Sequence, residues 1–190
     1  MQALLLDVDG VLLEKGEFFS EKYSREYAVP IETIEPFFKG PLKECQLGKA
    51  DLKVEISPFL KEWGWKGTAD EFLAYWFADM HVSDDAPSIL SECADRGIAC
   101  WVASNNEYYR ARAVEQLLGN KLEGYFFSSD LGVKKNDPAF FEEVIRQLNI
   151  PASEIGFLDN DSENVEAARE TGVRSCMYKR GDYSDFFKSV

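Results

Sequence analysis

The feature that most constrains this chain is an apolar run near its N-terminus that stops abruptly at carboxylates. Ala3-Leu4-Leu5-Leu6 is followed at once by Asp7-Val8-Asp9-Gly10. A strand that is apolar at consecutive positions is typical of a parallel sheet covered by helices on both faces. Because ligands in open α/β sheets bind at the carboxyl ends of the strands, Asp7 and Asp9 are the first candidate site residues.

The same arrangement occurs twice more along the chain. Apolar runs at 98–103 and 155–158 end in the polar triplets Ser104-Asn105-Asn106 and Asp159-Asn160-Asp161. Shorter strands are predicted at 125–128 and 174–178, and helical patterns occupy 86–96, 107–118, 138–148 and 162–171. Asp137 is the predicted N-cap of the helix at 138–148. This alternation predicts an α/β fold with a doubly wound parallel sheet and helices on both of its faces.

The segment from residue 14 to residue 82 breaks this alternation. It contains no convincing strand, so we interpret it as an inserted helical subdomain, with a core domain formed by residues 1–13 and 83–190. We expect its many aromatic residues to form the core of a small bundle rather than to contact a ligand. They are Phe37, Phe38, Trp63, Trp65, Phe72, Tyr75, Trp76 and Phe77.

The charge balance limits the partners. With 21 Lys plus Arg against 34 Asp plus Glu, the net charge is −13, which argues against nucleic acid and requires any phosphate site to bring its own positive charge. The four cysteines lack the paired spacing of a zinc site, and we expect them to be reduced. No apolar run suits a signal peptide or a membrane span, so the sequence predicts a cytoplasmic protein that does not enter the membrane.

The spacing of Asp7 and Asp9 suggests a metal. Two carboxylates that lean to one side of a strand end repel each other unless a cation lies between them, and Mg²⁺ suits hard oxygen donors beside a phosphate. Taken alone, however, an Asp-x-Asp-Gly segment is equally often only a turn.

Four segments in order strengthen the metal interpretation. Together they resemble the four motifs of the haloacid dehalogenase-like (HAD) hydrolase superfamily, and each lies at a predicted strand end or in the loop after it. The segments are residues 4–11, 102–105, 132–141 and 157–169, and Lys135 stands at the position of the superfamily's lysine. The resemblance covers nearly the whole chain outside the insert.

The resemblance implies a role for each matching residue. Asp7 would attack phosphorus and form an aspartyl-phosphate, and Asp9 would act as general acid and then as general base. Ser104 would donate a hydrogen bond to a phosphoryl oxygen, and Lys135 would supply fixed positive charge that balances Asp7 and the transferring group. Ser104, Asn105 and Lys135 are the predicted substrate-binding residues. The neighbouring Lys134 is expected to be a solvated loop lysine.

The resemblance also implies a Mg²⁺ site formed by the side chain of Asp7, the backbone carbonyl of Asp9 and the pair Asp159-Asn160. This sequence departs from the pattern at Asn160, because the superfamily usually has an aspartate there. An amide oxygen coordinates Mg²⁺ without adding charge, so we predict weaker magnesium affinity. The insert resembles the helical cap that many members place over the active site.

The predicted function is therefore hydrolysis of a small organic phosphate monoester, similar to a sugar phosphate, by an enzyme whose partner is a small phosphorylated metabolite. Three alternatives stay open: a metal-independent 2-haloacid dehalogenase, a phosphomutase, and a binding module that has lost turnover. Asp9 argues against the dehalogenase, whereas Asn160 favours it slightly. Whether the protein is a monomer or a homodimer is not decided by the sequence.

Overall fold

The computed structural model describes residues 1–183 and 186–187. Its centre is a parallel sheet of five strands in the order β3-β2-β1-β4-β5. The strands are β1 (Ala3–Leu6), β2 (Ala99–Ser104), β3 (Gly124–Phe127), β4 (Ile155–Asp159) and β5 (Arg174–Met177). All five predicted strands are present, with boundaries that shift by one residue at most.

The first strand lies in the middle of the sheet. Ala3 pairs with Ala99 on one side and with Ile155 on the other, and Leu6 pairs with Val102 and Leu158. All four residues of β1 are buried, as its unbroken apolar run predicted. The register brings the carboxyl ends of β1, β2 and β4 to one edge of the sheet.

Ten helices accompany the sheet within the described residues. They are α1 (Phe19–Tyr27), α2 (Ile31–Lys39), α3 (Pro41–Gln46), α4 (Leu52–Glu62), α5 (Ala69–Phe77), α6 (Ala86–Asp95), α7 (Tyr108–Leu118), α8 (Ser128–Leu131), α9 (Pro138–Leu148) and α10 (Ser162–Glu170). Nowhere in this part of the chain is a helix both long and apolar enough to cross a membrane.

The helices of the core cover both faces of the sheet. Leu4 and Leu6 pack with the buried side chains of α6 and α7, whereas Ala3 and Leu5 pack with those of α9 and α10. Alternate residues of one strand thus enter two different cores. The predicted doubly wound α/β fold is confirmed.

Local capping explains where these helices begin. The side chain of Asp137 accepts a hydrogen bond from the Ala139 amide at the start of α9, as predicted. The Glu107 carboxylate accepts bonds from the amides of Tyr109 and Arg110, so Glu107 caps α7, which begins at Tyr108, one residue later than predicted.

Helices α1 to α5 all lie within the predicted insert and have an apolar core of their own, which includes Phe37, Trp63 and Phe72. The chain leaves the sheet domain and returns to it at one place, where the Ser83 amide donates to the Leu12 carbonyl over 2.9 Å. The division at residues 14 and 82 stays a prediction.

Candidate active site

The carboxyl edge of the sheet forms the floor of a cleft of about 650 Å³. Helices α1, α2, α3 and α5 contribute the opposite wall. All seven residues that the sequence assigned to catalysis, substrate or metal line this one cleft: Asp7, Asp9, Ser104, Asn105, Lys135, Asp159 and Asn160. The structure therefore brings together all of the residues that the sequence assigned to the site, and the roles assigned to them stay predictions.

A buried lysine connects two of the carboxylates. The Lys135 ammonium donates to Oδ1 of Asp7 and, over 2.6 Å, to Oδ2 of Asp159, and its side chain is only 2% exposed. The Lys135 amide donates to Oδ1 of Asn105 over 2.9 Å, which ties this loop to the end of β2. Burial alone would lower the pKa of Lys135, but the two carboxylates outweigh burial and raise it, so the ammonium stays charged.

The Asp7 carboxyl is buried and shares its one neighbouring ammonium with Asp159. Burial raises its pKa; Lys135 opposes this, while Asp159 and Asp9 add to it, and the result is a pKa of about 7. When all groups are ionised, the three carboxylates face two cations, Lys135 and Arg110. In its fully ionised form the site therefore carries one excess negative charge, which a bound cation would offset.

Asp159 is committed to contacts within the protein. Besides Lys135, its Oδ2 accepts a hydrogen bond from Nδ2 of Asn164 over 3.0 Å, and its Oδ1 accepts one from the Asp161 amide over 2.8 Å. The side chain is fully buried. These bonds fix the Asp159 carboxylate in the orientation in which it pairs with Lys135. The spacing of residues at the strand ends did not indicate this pair.

Asn160 reaches a different part of the cleft. Its Nδ2 donates to the backbone carbonyl of Asp9 over 2.9 Å. Gly10 makes this approach possible, because a Cβ atom there would lie 2.2 Å from the same nitrogen, and the φ of +84° also favours glycine. The amide of Asn160 thus lies against the carbonyl that the resemblance assigns to a metal.

Arg110 is a site residue that the sequence did not reveal. Its Nη1 donates to Oδ2 of Asp9 over 2.8 Å and its Nη2 to Oδ1 over 2.5 Å. Desolvation in the cleft would raise the pKa of Asp9, but the guanidinium outweighs it and holds the pKa below its ordinary value. The one signal in the sequence is an arginine in the first turn of the helix that follows the second motif.

Asn106 links this ion pair to the second motif. Its Nδ2 donates to Oγ of Ser104 over 2.8 Å, and its Oδ1 accepts from Nη1 of Arg110. Asn106 and Ser104 are each 2% exposed. A chain of hydrogen bonds therefore runs from the Ser104 hydroxyl to the Asp9 carboxylate, and it holds both groups toward the cleft.

The prediction that Lys134 is a solvated loop lysine is wrong. Its side chain is half-buried and donates over 2.7 Å to Oε1 of Gln46 in α3, and burial lowers its pKa. The backbone carbonyl of Gln46 accepts a hydrogen bond from Oγ of Ser128 over 2.6 Å. The side-chain Nε2 of Gln46 donates to the Asn105 carbonyl over 3.4 Å. These contacts hold the inserted helices against the core beside the cleft.

The cleft as a whole suits a tetrahedral oxyanion. A buried carboxylate, a second carboxylate held by an arginine, a hydroxyl and an ammonium group converge on it from separate strand ends and loops. Fixed donors in a partly desolvated cleft stabilise negative charge more strongly than water does.

Comparisons with known proteins agree with this arrangement. A family model described as haloacid dehalogenase-like hydrolase matches residues 1–172. A phosphatase of Mycobacterium tuberculosis is 27% identical over 191 residues, which cover 95% of this chain and 88% of that protein. The enolase-phosphatase E1 of Methylococcus capsulatus is 33% identical over 107 residues, which cover 53% of this chain and 45% of that enzyme. The match thus spans less than half the length of the enolase-phosphatase.

Solved structures share the whole fold. A HAD family enzyme from Bacteroides thetaiotaomicron, crystallised as the wild-type protein with magnesium and inorganic phosphate, superimposes with a TM-score of 0.81. The superposition covers 98% of this chain and 99% of that enzyme, at 19% identity. At this identity the likeness establishes the fold.

Proposed function

Because the chain belongs to the haloacid dehalogenase-like hydrolase family, we propose that it is a Mg²⁺-dependent phosphatase that hydrolyses small organic phosphate monoesters through Asp7. The observation that carries this proposal is the placement of Lys135, which lies buried between Asp7 and Asp159 on the floor of the cleft. A buried ammonium at this point balances a nucleophilic carboxylate and a transferring phosphoryl group.

In the first step, a carboxylate oxygen of Asp7 attacks phosphorus as the bond from phosphorus to the leaving oxygen breaks. Because Arg110 favours the ionised form of Asp9, the Asp9 carboxylate first takes a proton from the monoanion of the bound phosphate ester. It then gives that proton to the leaving oxygen, which departs as an alcohol. Ser104 donates a hydrogen bond to a phosphoryl oxygen, and Lys135 supplies fixed positive charge. The product of this step is an aspartyl-phosphate on Asp7.

In the second step, water attacks the phosphorus of the aspartyl-phosphate, and the Asp9 carboxylate takes the proton of that water. The bond between phosphorus and the Asp7 oxygen breaks, which releases inorganic phosphate and restores both carboxyl groups. Arg110 and Asn106 hold Asp9 at the cleft in both steps, so that one group serves twice.

The donor set fits a magnesium ion. Asp7 through its side chain, Asp9 through its backbone carbonyl and Asn160 through its side-chain amide oxygen would hold the ion. The excess negative charge of the fully ionised site favours a cation there. The protein would then supply three oxygen donors, and water and substrate would complete the coordination. When bound, Mg²⁺ neutralises charge that develops on the phosphoryl oxygens.

The names of the relatives support the same class of reaction. One is a phosphatase, another is an enolase-phosphatase, and the superimposed enzyme was crystallised with magnesium and phosphate. A sugar phosphate-like substrate, a cap of residues 14–82, a cytoplasmic location and the oligomeric state stay predictions.

The direct test measures phosphate release from p-nitrophenyl phosphate with Mg²⁺, after removal of the metal by a chelator, and after its restoration. We expect release that depends on the metal, and no release from Asp7→Asn. Asp95→Asn, which changes an exposed aspartate at the end of α6, is the matched control and should behave like the wild type.

Two results would contradict this proposal. Halide release from a 2-haloacid without metal would identify a dehalogenase. Absence of turnover across a panel of phosphate esters, by protein that is folded and binds phosphate, would identify a binding module.

A further inference from the structure

The wall of the cleft opposite the catalytic carboxylates is aromatic. Phe19 of α1, Phe38 of α2 and Trp76 of α5 all line it. Their rings contact one another: the centroids of Phe19 and Trp76 are 4.9 Å apart, and those of Phe38 and Trp76 are 5.4 Å apart. Three helices thus turn one continuous surface of rings, here called the aromatic wall, toward the site.

The aromatic wall differs from the rest of the aromatic cluster in the insert. Phe37, Trp63 and Phe72 are buried and fill the interior of the bundle, as the sequence predicted for the whole group. By contrast, Phe38 and Trp76 are only half-buried, and the face that stays open is the one beside the cleft. Leu42, Met80 and Phe18 extend the same apolar surface, and Phe18 is 68% exposed. Together these side chains leave a large apolar area exposed to solvent.

The polar side chains that the inserted helices contribute to this side of the cleft are already paired, and the exposed Lys15 lies in the loop before α1. Lys22 forms an ion pair with Asp79, and Arg25 forms one with Glu17. Gln46 is bonded to the core through both ends of its side-chain amide. A leaving group with many hydroxyls would lose its hydration here and find few new partners, which is unfavourable.

From these observations we infer that the substrates are phosphate monoesters of apolar alcohols, either aromatic or alkyl, whose apolar part lies on the aromatic wall while the phosphate faces Asp7 and Lys135. This inference rests on the proposed phosphatase activity and narrows it to a substrate class. It also replaces the sugar phosphate that the family resemblance suggested. The volume of the cleft, about 650 Å³, admits a leaving group far larger than the phosphate itself.

The test compares kcat/KM for ethyl, butyl and hexyl phosphate, 1-naphthyl phosphate and glucose 6-phosphate, all with saturating Mg²⁺. We expect kcat/KM to rise about four-fold for each added methylene until the wall is covered. Hexyl and naphthyl phosphate should exceed glucose 6-phosphate by at least about ten-fold.

Two matched variants locate the effect. In Trp76→Gln, kcat/KM for hexyl and naphthyl phosphate should fall by about ten-fold or more, and that for ethyl phosphate by less than about two-fold. Trp65→Gln removes an indole from the same aromatic cluster but away from the cleft, and should leave the ratio of hexyl to ethyl phosphate unchanged. Thermal unfolding of both variants checks that the insert is folded, and Phe38→Gln replaces Trp76→Gln if it is not.

The outcomes separate the two proposals. If ethyl phosphate and p-nitrophenyl phosphate are hydrolysed but kcat/KM is flat along the alkyl series, or glucose 6-phosphate is the better substrate, the substrate class is wrong and the phosphatase stands. An equal loss toward ethyl and hexyl phosphate in Trp76→Gln also overturns the inference. If no ester is hydrolysed with Mg²⁺, both proposals fail.

Discussion

The guanidinium of Arg110 donates hydrogen bonds to both carboxylate oxygens of Asp9, with N–O distances of 2.8 and 2.5 Å, although the two residues are 101 positions apart in the chain. The Asp9 side chain is still 54% exposed to the cleft, so the ion pair directs it without sealing it off. A bidentate pair fixes the orientation of a carboxylate in a way that a single ammonium contact does not. Arg110 therefore positions the group that we propose as the proton carrier.

Two substitutions of Arg110 should distinguish the effect of its positive charge on kcat from the effect of its bidentate hydrogen bonding. We expect kcat to fall about ten-fold in Arg110→Lys, which keeps the charge but loses the fork, and about 100-fold in Arg110→Gln. In Arg110→Gln the pKa of Asp9 should rise, because the guanidinium no longer lowers it, and the limb of the kcat–pH profile governed by Asp9 should move to higher pH. Arg112→Gln, on the same helix, is the control. An unmoved limb in Arg110→Gln would show that the arginine does not tune Asp9.

Asp7 should make the metal-free protein less stable as the pH rises. Its pKa is raised from 3.8 to about 7, so its contribution to stability is fully present below about pH 4 and is lost as the pH rises through 7. The side-chain amide introduced by Asp7→Asn would stay neutral throughout this range. We therefore expect Asp7→Asn to exceed the wild type in free energy of unfolding by on the order of 2 kcal/mol at about pH 8, and by much less at about pH 5.

Urea unfolding without metal at the two pH values measures this difference. Asp95→Asn, at an exposed site, should show nearly the same difference from the wild type at both. A penalty for Asp7→Asn at the higher pH would contradict the idea that the site carries excess negative charge.

Lys135 should be essential for stability as well as for turnover. Lys135→Met leaves Asp7 and Asp159 buried without their shared cation, and we expect it to lower the free energy of unfolding by about 3–5 kcal/mol. Lys134→Met removes one hydrogen bond from a half-buried lysine and should cost about 1 kcal/mol. Chemical denaturation compares the two variants, and similar losses would refute the role given to the buried pair.

Asn160 should limit the affinity for magnesium. In Asn160→Asp the added charge should lower the Mg²⁺ concentration for half-maximal activity by about ten-fold or more. Without metal, the aspartate loses the hydrogen bond to the Asp9 carbonyl, so the variant should melt at a lower temperature than the wild type and gain more from added Mg²⁺. Asn160→Ala should shift the Mg²⁺ requirement in the opposite direction. An unchanged requirement in Asn160→Asp would remove Asn160 from the metal site.

Gly48 marks a tight contact between the inserted helices and the core. A Cβ atom there would lie 2.2 Å from the carbonyl oxygen of Ser129, and the φ is +67°. Gly64 has a similar φ of +75° but open space around it. We expect Gly48→Ala to cost about 1–3 kcal/mol more than Gly64→Ala, because only Gly48 adds a clash to the backbone strain. Equal losses of stability in thermal unfolding of the two variants would mean that the backbone near Ser129 moves to accommodate the added methyl group at no energetic cost.

The sequence alone was sufficient for the elements of the core and for bringing seven named residues to one cleft, but it did not reveal Arg110. Unbroken apolar runs reported burial on both faces, and capping residues such as Asp137 reported where helices begin; both are local properties. Because parallel strands bring their carboxyl ends to one edge, Asp7, Ser104 and Asp159 had to meet once the strands were recognised.

Only the tertiary structure decided which groups pair. The packing of α7 on the sheet brings Arg110 to Asp9, and the docking of α3 brings Gln46 to Lys134. The way α1, α2 and α5 pack leaves Phe38 and Trp76 open to the cleft. Each contact joins residues far apart in the chain. It requires that the elements be placed relative to each other to within a few tenths of an ångström, and no local periodicity encodes that placement. Sequence patterns report which face of an element is buried; what that face meets depends on how the elements pack together.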